Sequence, residues 1–216
     1  MTWPQLAGLV VLAYLAGSIP TGYLVARAKG IDIRSVGSGN IGATNVFRIL
    51  GKGPGVFVLL ADALKGALAV IVLPRWLGGD VADARQQAAL IAGVCAVLGH
   101  NFTCWLRFKG GKGIATSAGV LAAWAPLPFV ATLGVFGVVL AASRYVSLAS
   151  ILAAAALPFA QAFLPPRQRS LVWISAVLSV LAIARNQANI RRLMAGTERR
   201  LGQAQDAKSG EGSGTP

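Results

Sequence analysis

A succession of long, nearly uncharged apolar runs, at residues 6–27, 55–73, 88–106, 114–125, 127–143, 147–164 and 171–183, constrains this chain more than anything else in it. A hydrocarbon core about 30 Å thick needs roughly 20 such residues per helix, and most of the runs approach that length. Run 114–125 is short, and Pro126 and Pro128 predict a tight turn after it, so runs four and five can also be read as one interrupted hairpin. With 55% hydrophobic residues, 12% charged residues and a mean hydropathy of +0.64, a soluble domain is excluded. The 26 glycines and the alanine stretch at 153–156 suit closely packed helices rather than a barrel. The expected fold is therefore all-α: a polytopic membrane bundle of about seven transmembrane helices. Residues 1–198 form its single domain. Residues 199–216 are read as a basic, then Gly/Ser-rich, cytoplasmic tail of disordered composition.

The net charge of +13 would point to nucleic acid in a soluble protein. Here the basic residues sit in short segments between apolar runs, so the expected partner is membrane lipid and not nucleic acid. With seven spans, one side collects about 15 Lys and Arg residues and the other about 4, namely Arg75, Arg85, Arg167 and Arg169. The positive-inside rule then places the N-terminus outside and the C-terminus, including Lys208, in the cytoplasm. A six-span reading would put the terminal basic cluster outside. The first run lacks a basic leader region and reads as a retained helix.

On this topology four polar segments meet at the cytoplasmic face: 37–53, 109–113, 144–147 and 186–198. The outer loops offer Asp80, Asp83 and a few arginines but no comparable donor cluster. Segment 37–53, GSGNIGATNVFRILGKG, is dense in groups that can donate to phosphate or carboxylate: Ser38, Gly39, Asn40, Thr44, Asn45 and Arg48. Asn40, Thr44 and Arg48 are spaced i,i+4, so a short interfacial helix would align them. The second segment is KGGKG, with Lys112 among Gly110, Gly111 and Gly113. It is not a nucleotide-binding P-loop, because Gly113 and Ile114 follow Lys112, and such a run can equally be a plain turn.

Charged residues inside apolar runs need partners. Asp62 and Lys65 at i,i+3 read as a structural ion pair. His100 precedes Cys104 by four residues, but no local carboxylate orients it, so capping or backbone bonding is expected rather than nucleophilic chemistry. Cys95 and Cys104 suggest no disulfide framework, and no carboxylate cluster for a metal is evident. No cofactor is expected. Trp3, Trp76, Trp105 and Trp173 read as interface anchors. The chain looks equipped to bind and orient anions rather than to supply a covalent nucleophile.

GSGNIGATNVFRILGKGPG, LLADALKGALAV, GHNFTCWLRFKGGKGIAT, SRYVSLAS and NIRRLMAGTE, in this order and spacing, closely resemble the bacterial acyl-phosphate:glycerol-3-phosphate acyltransferase family. The resemblance runs to Glu198. It implies a multi-pass inner-membrane enzyme with a cytoplasm-facing site that moves an acyl group from acyl phosphate to the 1-hydroxyl of glycerol 3-phosphate. The products would be lysophosphatidic acid and inorganic phosphate, without an acyl-enzyme. It also implies functional links to an acyl-phosphate-forming enzyme and to the next acyltransferase of phospholipid synthesis.

By resemblance, Ser38, Arg48, Lys112 and Asn189 carry catalysis. Gly39, Asn40, Thr44, Asn45, Gly110, Gly111, Gly113, Ser147 and Asn186 bind substrate, and Glu198 holds the tail. The family usually has histidine where this chain has Asn186, which cannot titrate near neutrality; a phosphate-donating amide is expected there instead. Two other readings remain open at this point: an acyltransferase using a thioester donor, and an organic-anion transporter.

Overall fold

The computed structural model describes residues 1–79 and 81–203. Asp80, Lys208 and the rest of 204–216 lie outside the described residues, as does most of the tail whose disorder was expected. Among the described residues every regular element is helical. Helix α1, Trp3–Ser18, opens on a capping box: Thr2 Oγ1 accepts from the Gln5 amide at 3.4 Å and the Gln5 side chain accepts from the Thr2 amide at 2.7 Å. Pro20 lacks a backbone donor and interrupts it, and the helix resumes as α2, Thr21–Arg27.

After a looped segment come the short α3, Ala43–Leu50, and the long α4, Lys52–Leu77. Helix α5, Ala82–Asn101, ends in a 3-10 turn at Cys104–Leu106. Then follow α6, Ile114–Trp124, α7, Pro126–Ser143, α8, Val146–Phe163, α9, Arg169–Arg185, and α10, Gln187–Met194.

Five helical stretches are long and apolar enough to cross a membrane, and α9 with α10, bent by 58°, makes a sixth if taken as one span. This makes a multi-pass membrane protein, but the expected seven is not reached by length. Helix α6 has 11 residues, roughly 16 Å at 1.5 Å per residue, about half a bilayer. Nor do Pro126 and Pro128 form a separate turn. Ala125 alone separates α6 from α7, and the prolines occupy the first turn of α7, where a helix needs no amide donor.

Between helices in lipid there is little hydrophobic driving force, so close approach must supply the attraction. Helices α1 and α5 meet at Gly17 and Gly99, where an added Cβ would lie 2.0 Å from the Ala96 carbonyl oxygen and 2.1 Å from that of Tyr14. Helices α4 and α6 touch the same way: a Cβ at Gly119 would fall 1.8 Å from the Ala63 carbonyl oxygen. The interior is accordingly small, with Ala13, Ala88, Ala92 and Ala96 fully buried, while Leu60, Val138, Phe159 and Val177 face outward where lipid would lie.

The break in α1–α2 is tied to α4. Lys65 Nζ donates to the Ile19 carbonyl at 2.7 Å and pairs with Asp62 Oδ1 at 2.8 Å, and Thr21 donates to the same carboxylate oxygen at 3.0 Å. The pair expected from sequence is thus present and buried. His100 joins it, with Nδ1 3.7 Å from Asp62, and makes no hydrogen bond there, so it neither caps the helix nor bonds backbone through that atom.

Candidate active site

The loops gather at one end of the bundle around a polar cavity of about 130 Å3. Its wall takes Ser38, Asn40, Thr44, Asn45 and Arg48 from the loop and α3, Lys112 from the glycine loop, Ser147 from α8, and Asn186, Asn189 and Glu198 from around α10. Residues distant in sequence are thereby brought together. Of the α3 set, Thr44 and Arg48 are helical, whereas Asn40 lies before the helix and accepts from the Gly42 amide at 2.8 Å.

Asn45 builds the loop from within. Its Oδ1 accepts from the Ser38 amide at 2.9 Å and its Nδ2 donates to the carbonyls of Ile33, Val36 and Asn40 at 3.0–3.2 Å. Both amide hydrogens are therefore spent on backbone, and Asn45 shapes the wall around Ser38. Gly39 stands in the adjoining turn with φ +68° and does not line the cavity.

Gly110, Gly111 and Gly113 do not line it either. Their backbone lies directly on the end of α5. The Gly110 and Gly111 amides donate to the Asn101 and His100 carbonyls at 3.1 and 3.0 Å, and a Cβ at Gly111 would sit 2.1 Å from His100 Nε2. Close packing thus accounts for the glycines, and it delivers Lys112 to the cavity.

Lys112 Nζ donates to Asn186 Oδ1 at 3.0 Å and to Asn189 Oδ1. Asn189 donates to Glu198 Oε1 at 2.7 Å, as Ser147 does at 2.9 Å, and Arg192 Nε binds Glu198 Oε2 at 2.7 Å. Glu198, assigned by resemblance to holding the tail, is a buried hub joining α8 to α10. The Asn186 side chain donates one of its two amide hydrogens to the Ala182 carbonyl at 2.8 Å, while its oxygen accepts from Lys112.

Charge within the cavity is strongly perturbed. Burial pushes the Lys112 ammonium down to about 8, against the Glu198 carboxylate and with help from Arg192, Arg48 and Arg185. Burial also lowers Arg48, whose guanidinium donates to the Arg199 carbonyl at 3.3 Å. Burial alone would raise Glu198, but hydrogen bonds from Arg192, Asn189 and Ser147 outweigh it and hold the carboxyl below its ordinary range. One lysine and one arginine cation, Lys112 and Arg48, thus face the cavity beside a carboxylate already engaged on both oxygens, an arrangement suited to a dianion.

An apolar cavity of about 230 Å3 adjoins this one, running between α6, α7, α8 and α9 to Phe129 and Leu157. The two share Leu59, Ile114, Ala115, Phe136 and Ser150 as common wall. The sequence pattern assigns none of these five to a site, because four are apolar residues like any others in a membrane helix and Ser150 is a lone hydroxyl among them. Arg185 and Arg192 are given no site role from sequence, counting only toward the basic charge at the C-terminal end. Among the described residues no group of His, Cys, Asp and Glu could hold a metal ion, and both cysteines are free.

The glycerol-3-phosphate acyltransferase family profile matches residues 7–196. A glycerol-3-phosphate acyltransferase of Geobacter sulfurreducens is 49% identical over 193 residues, covering 89% of this chain and 96% of the relative. One from Thermosynechococcus vestitus is 48% identical, covering 95% and 100%. Among solved structures, the chain is similar to PlsY, an integral membrane glycerol 3-phosphate acyltransferase, in its glycerol 3-phosphate form, at 39% identity and a TM-score of 0.82 over 91% of this chain and 96% of that one. The lysophosphatidic acid form gives 38% and 0.79, covering 91% and 95%. With its polar and apolar cavities meeting at one wall and relatives of this closeness along nearly its whole length, the chain belongs to the glycerol-3-phosphate acyltransferase family.

Proposed function

We propose that this protein transfers an acyl group from acyl phosphate to the 1-hydroxyl of glycerol 3-phosphate, releasing 1-acyl-glycerol 3-phosphate and inorganic phosphate. The observation that carries the reading is the wall shared by the cationic and apolar cavities, which would let one molecule present a phosphate to Lys112 and Arg48 and a hydrocarbon chain to Phe129 and Leu157. Acyl phosphate has that shape. Glycerol 3-phosphate would bind through Ser38, Arg48, Lys112 and Asn189, with Ser147 and Asn186 setting the last two through Glu198 and Lys112.

The hydroxyl oxygen attacks the acyl carbonyl carbon, the bond from that carbon to the phosphate oxygen breaks, and phosphate leaves with the electron pair. The hydroxyl proton passes to a phosphate oxygen. A mixed anhydride is already activated, so positioning and cationic stabilisation of the leaving phosphate suffice. On the seven-span count, which takes the short α6 as crossing, the Lys and Arg asymmetry supports a cytoplasmic site with the N-terminus outside, and the family resemblance supports a bacterial inner membrane. An acyl-phosphate-forming enzyme would supply the donor, and a second acyltransferase would consume the product.

Purified protein in lipid, offered glycerol 3-phosphate with palmitoyl phosphate, palmitoyl-CoA or an acyl carrier thioester, tests this. Only palmitoyl phosphate should yield lysophosphatidic acid, one-for-one with inorganic phosphate. Equal rates with a thioester would overturn the donor. Lys112→Ala and Arg48→Ala should each lower turnover at least about tenfold, given about 1.5–3 kcal/mol for a charge-assisted bond.

A further inference from the structure

Arg185, the last residue of α9, does not line the cavity, yet its guanidinium is among the most fully engaged side chains in the molecule. Its Nη2 donates to the carbonyls of Asn101 at 3.2 Å, Gly110 at 3.1 Å and Gly111 at 2.9 Å, and its Nε also reaches Gly111 at 3.2 Å. The Phe102 ring lies beneath it, 5.3 Å from the centroid. It therefore grips both the C-terminal end of α5 and the glycine loop, where the carbonyls of a helix end favour a cation.

The register makes this grip consequential. Gly111 is bound by Arg185, and the next residue on each strand of chain, Lys112 and Asn186, is bound side chain to side chain at 3.0 Å. Two adjacent cross-links thus lace the loop to the α9–α10 hinge. Without the first, the hydrogen bonds left between the loop and α9–α10 among the described residues are those of the flexible Lys112 side chain.

We propose that Arg185 is a positioning residue for acyl transfer, its planar fork fixing the Gly110–Gly111 backbone so that the Lys112 ammonium stands between Asn186 and Asn189. This rests on the reading that Lys112 binds substrate phosphate. Nη2 alone reaches carbonyls of both α5 and the loop, but a lysine at position 185 would lack the second bond from Nε to Gly111 and the flat face over Phe102, so charge alone would not replace the fork. The groups facing Lys112 are Arg48 from α3, Arg185 from α9, Arg192 from α10 and Glu198 beyond it, and Arg185 is one of three cations that lower its titration.

The test uses the full chain in lipid, with steady-state rates and the pH dependence of Lys112 acetylation by acetic anhydride, read by mass spectrometry on substrate-free protein. Arg185→Ala should lose at least about tenfold in kcat/KM, and its Lys112 acetylation profile should move to higher pH. Arg185→Gln carries the same test, with the same expectation, if the alanine variant does not accumulate as folded protein. Arg185→Lys should lose activity despite keeping the charge. Parental activity in the lysine variant, or an activity loss in the alanine or glutamine variant with the Lys112 profile unmoved, overturns the proposal. An active Lys112→Ala would instead overturn the phosphate reading beneath it.

Discussion

Lys112 ties the electrostatics of the cavity to a measurable pH dependence. With its ammonium titrating at about 8, the charged fraction in the substrate-free protein is roughly nine-tenths at pH 7 and one-tenth at pH 9. Glycerol 3-phosphate is mostly dianionic at pH 7 and fully so above it, so its own charge changes little over the same window. If the phosphate binds the ammonium form, affinity is nearly fully present at about pH 7 and falls about tenfold between pH 7 and pH 9. That corresponds to about 1.4 kcal/mol, close to the lower end of the worth of one charge-assisted hydrogen bond. Calorimetric titration of glycerol 3-phosphate into donor-free protein, at several pH values and fixed ionic strength, measures it directly. Glu198→Gln provides the sign check: the carboxylate raises Lys112, so removing its charge lowers the lysine and brings the loss of affinity to lower pH. Affinity flat to pH 9, or a Glu198→Gln curve displaced upward, would refute the reasoning.

Other perturbations separate packing from chemistry. Asp62→Asn leaves Lys65 buried without its counter-ion and should destabilise the protein in detergent by about 3–5 kcal/mol, read as a lower thermal midpoint; adding Lys65→Met should recover part of the loss. Asn186→Asp faces Lys112 with a second carboxylate and forfeits the bond to the Ala182 carbonyl, so glycerol 3-phosphate affinity should drop at least about tenfold in calorimetry. Leu157→Trp fills the apolar cavity and should lower kcat/KM for palmitoyl phosphate roughly tenfold while sparing glycerol 3-phosphate affinity.

Much of the architecture was legible because lipid imposes a length rule: runs such as 55–73 became helices extended by a turn or so, as in Lys52–Leu77. Run 114–125 obeyed composition but not length. Whether a short apolar segment crosses, dips or lines a site is decided by its neighbours, here the contact of Gly119 with Ala63. Ser38, Arg48, Lys112 and Asn189 could be picked out as donors, and the structure does gather them in one cavity. Who donates to whom could not be read. An amide such as Asn45 looks like a ligand in sequence and becomes scaffold only once its hydrogens are traced to Ile33, Val36 and Asn40. The glycines around Lys112 hid a packing requirement of His100 and Asn101.

The common wall of the two cavities, Leu59, Ile114, Ala115, Phe136 and Ser150, sets how this reaction should be quantified. On the proposed reading one reactant arrives dissolved in water and the other dissolved in lipid, so the encounter takes place across a phase boundary. Donor availability is then a mole fraction of the bilayer rather than a molarity. Diluting the membrane with inert phospholipid at constant bulk donor should slow turnover, whereas adding buffer volume around the same vesicles should not. The two products also part company: phosphate returns to water, while the acylated glycerol phosphate stays in the sheet, where the next enzyme meets it without a soluble intermediate.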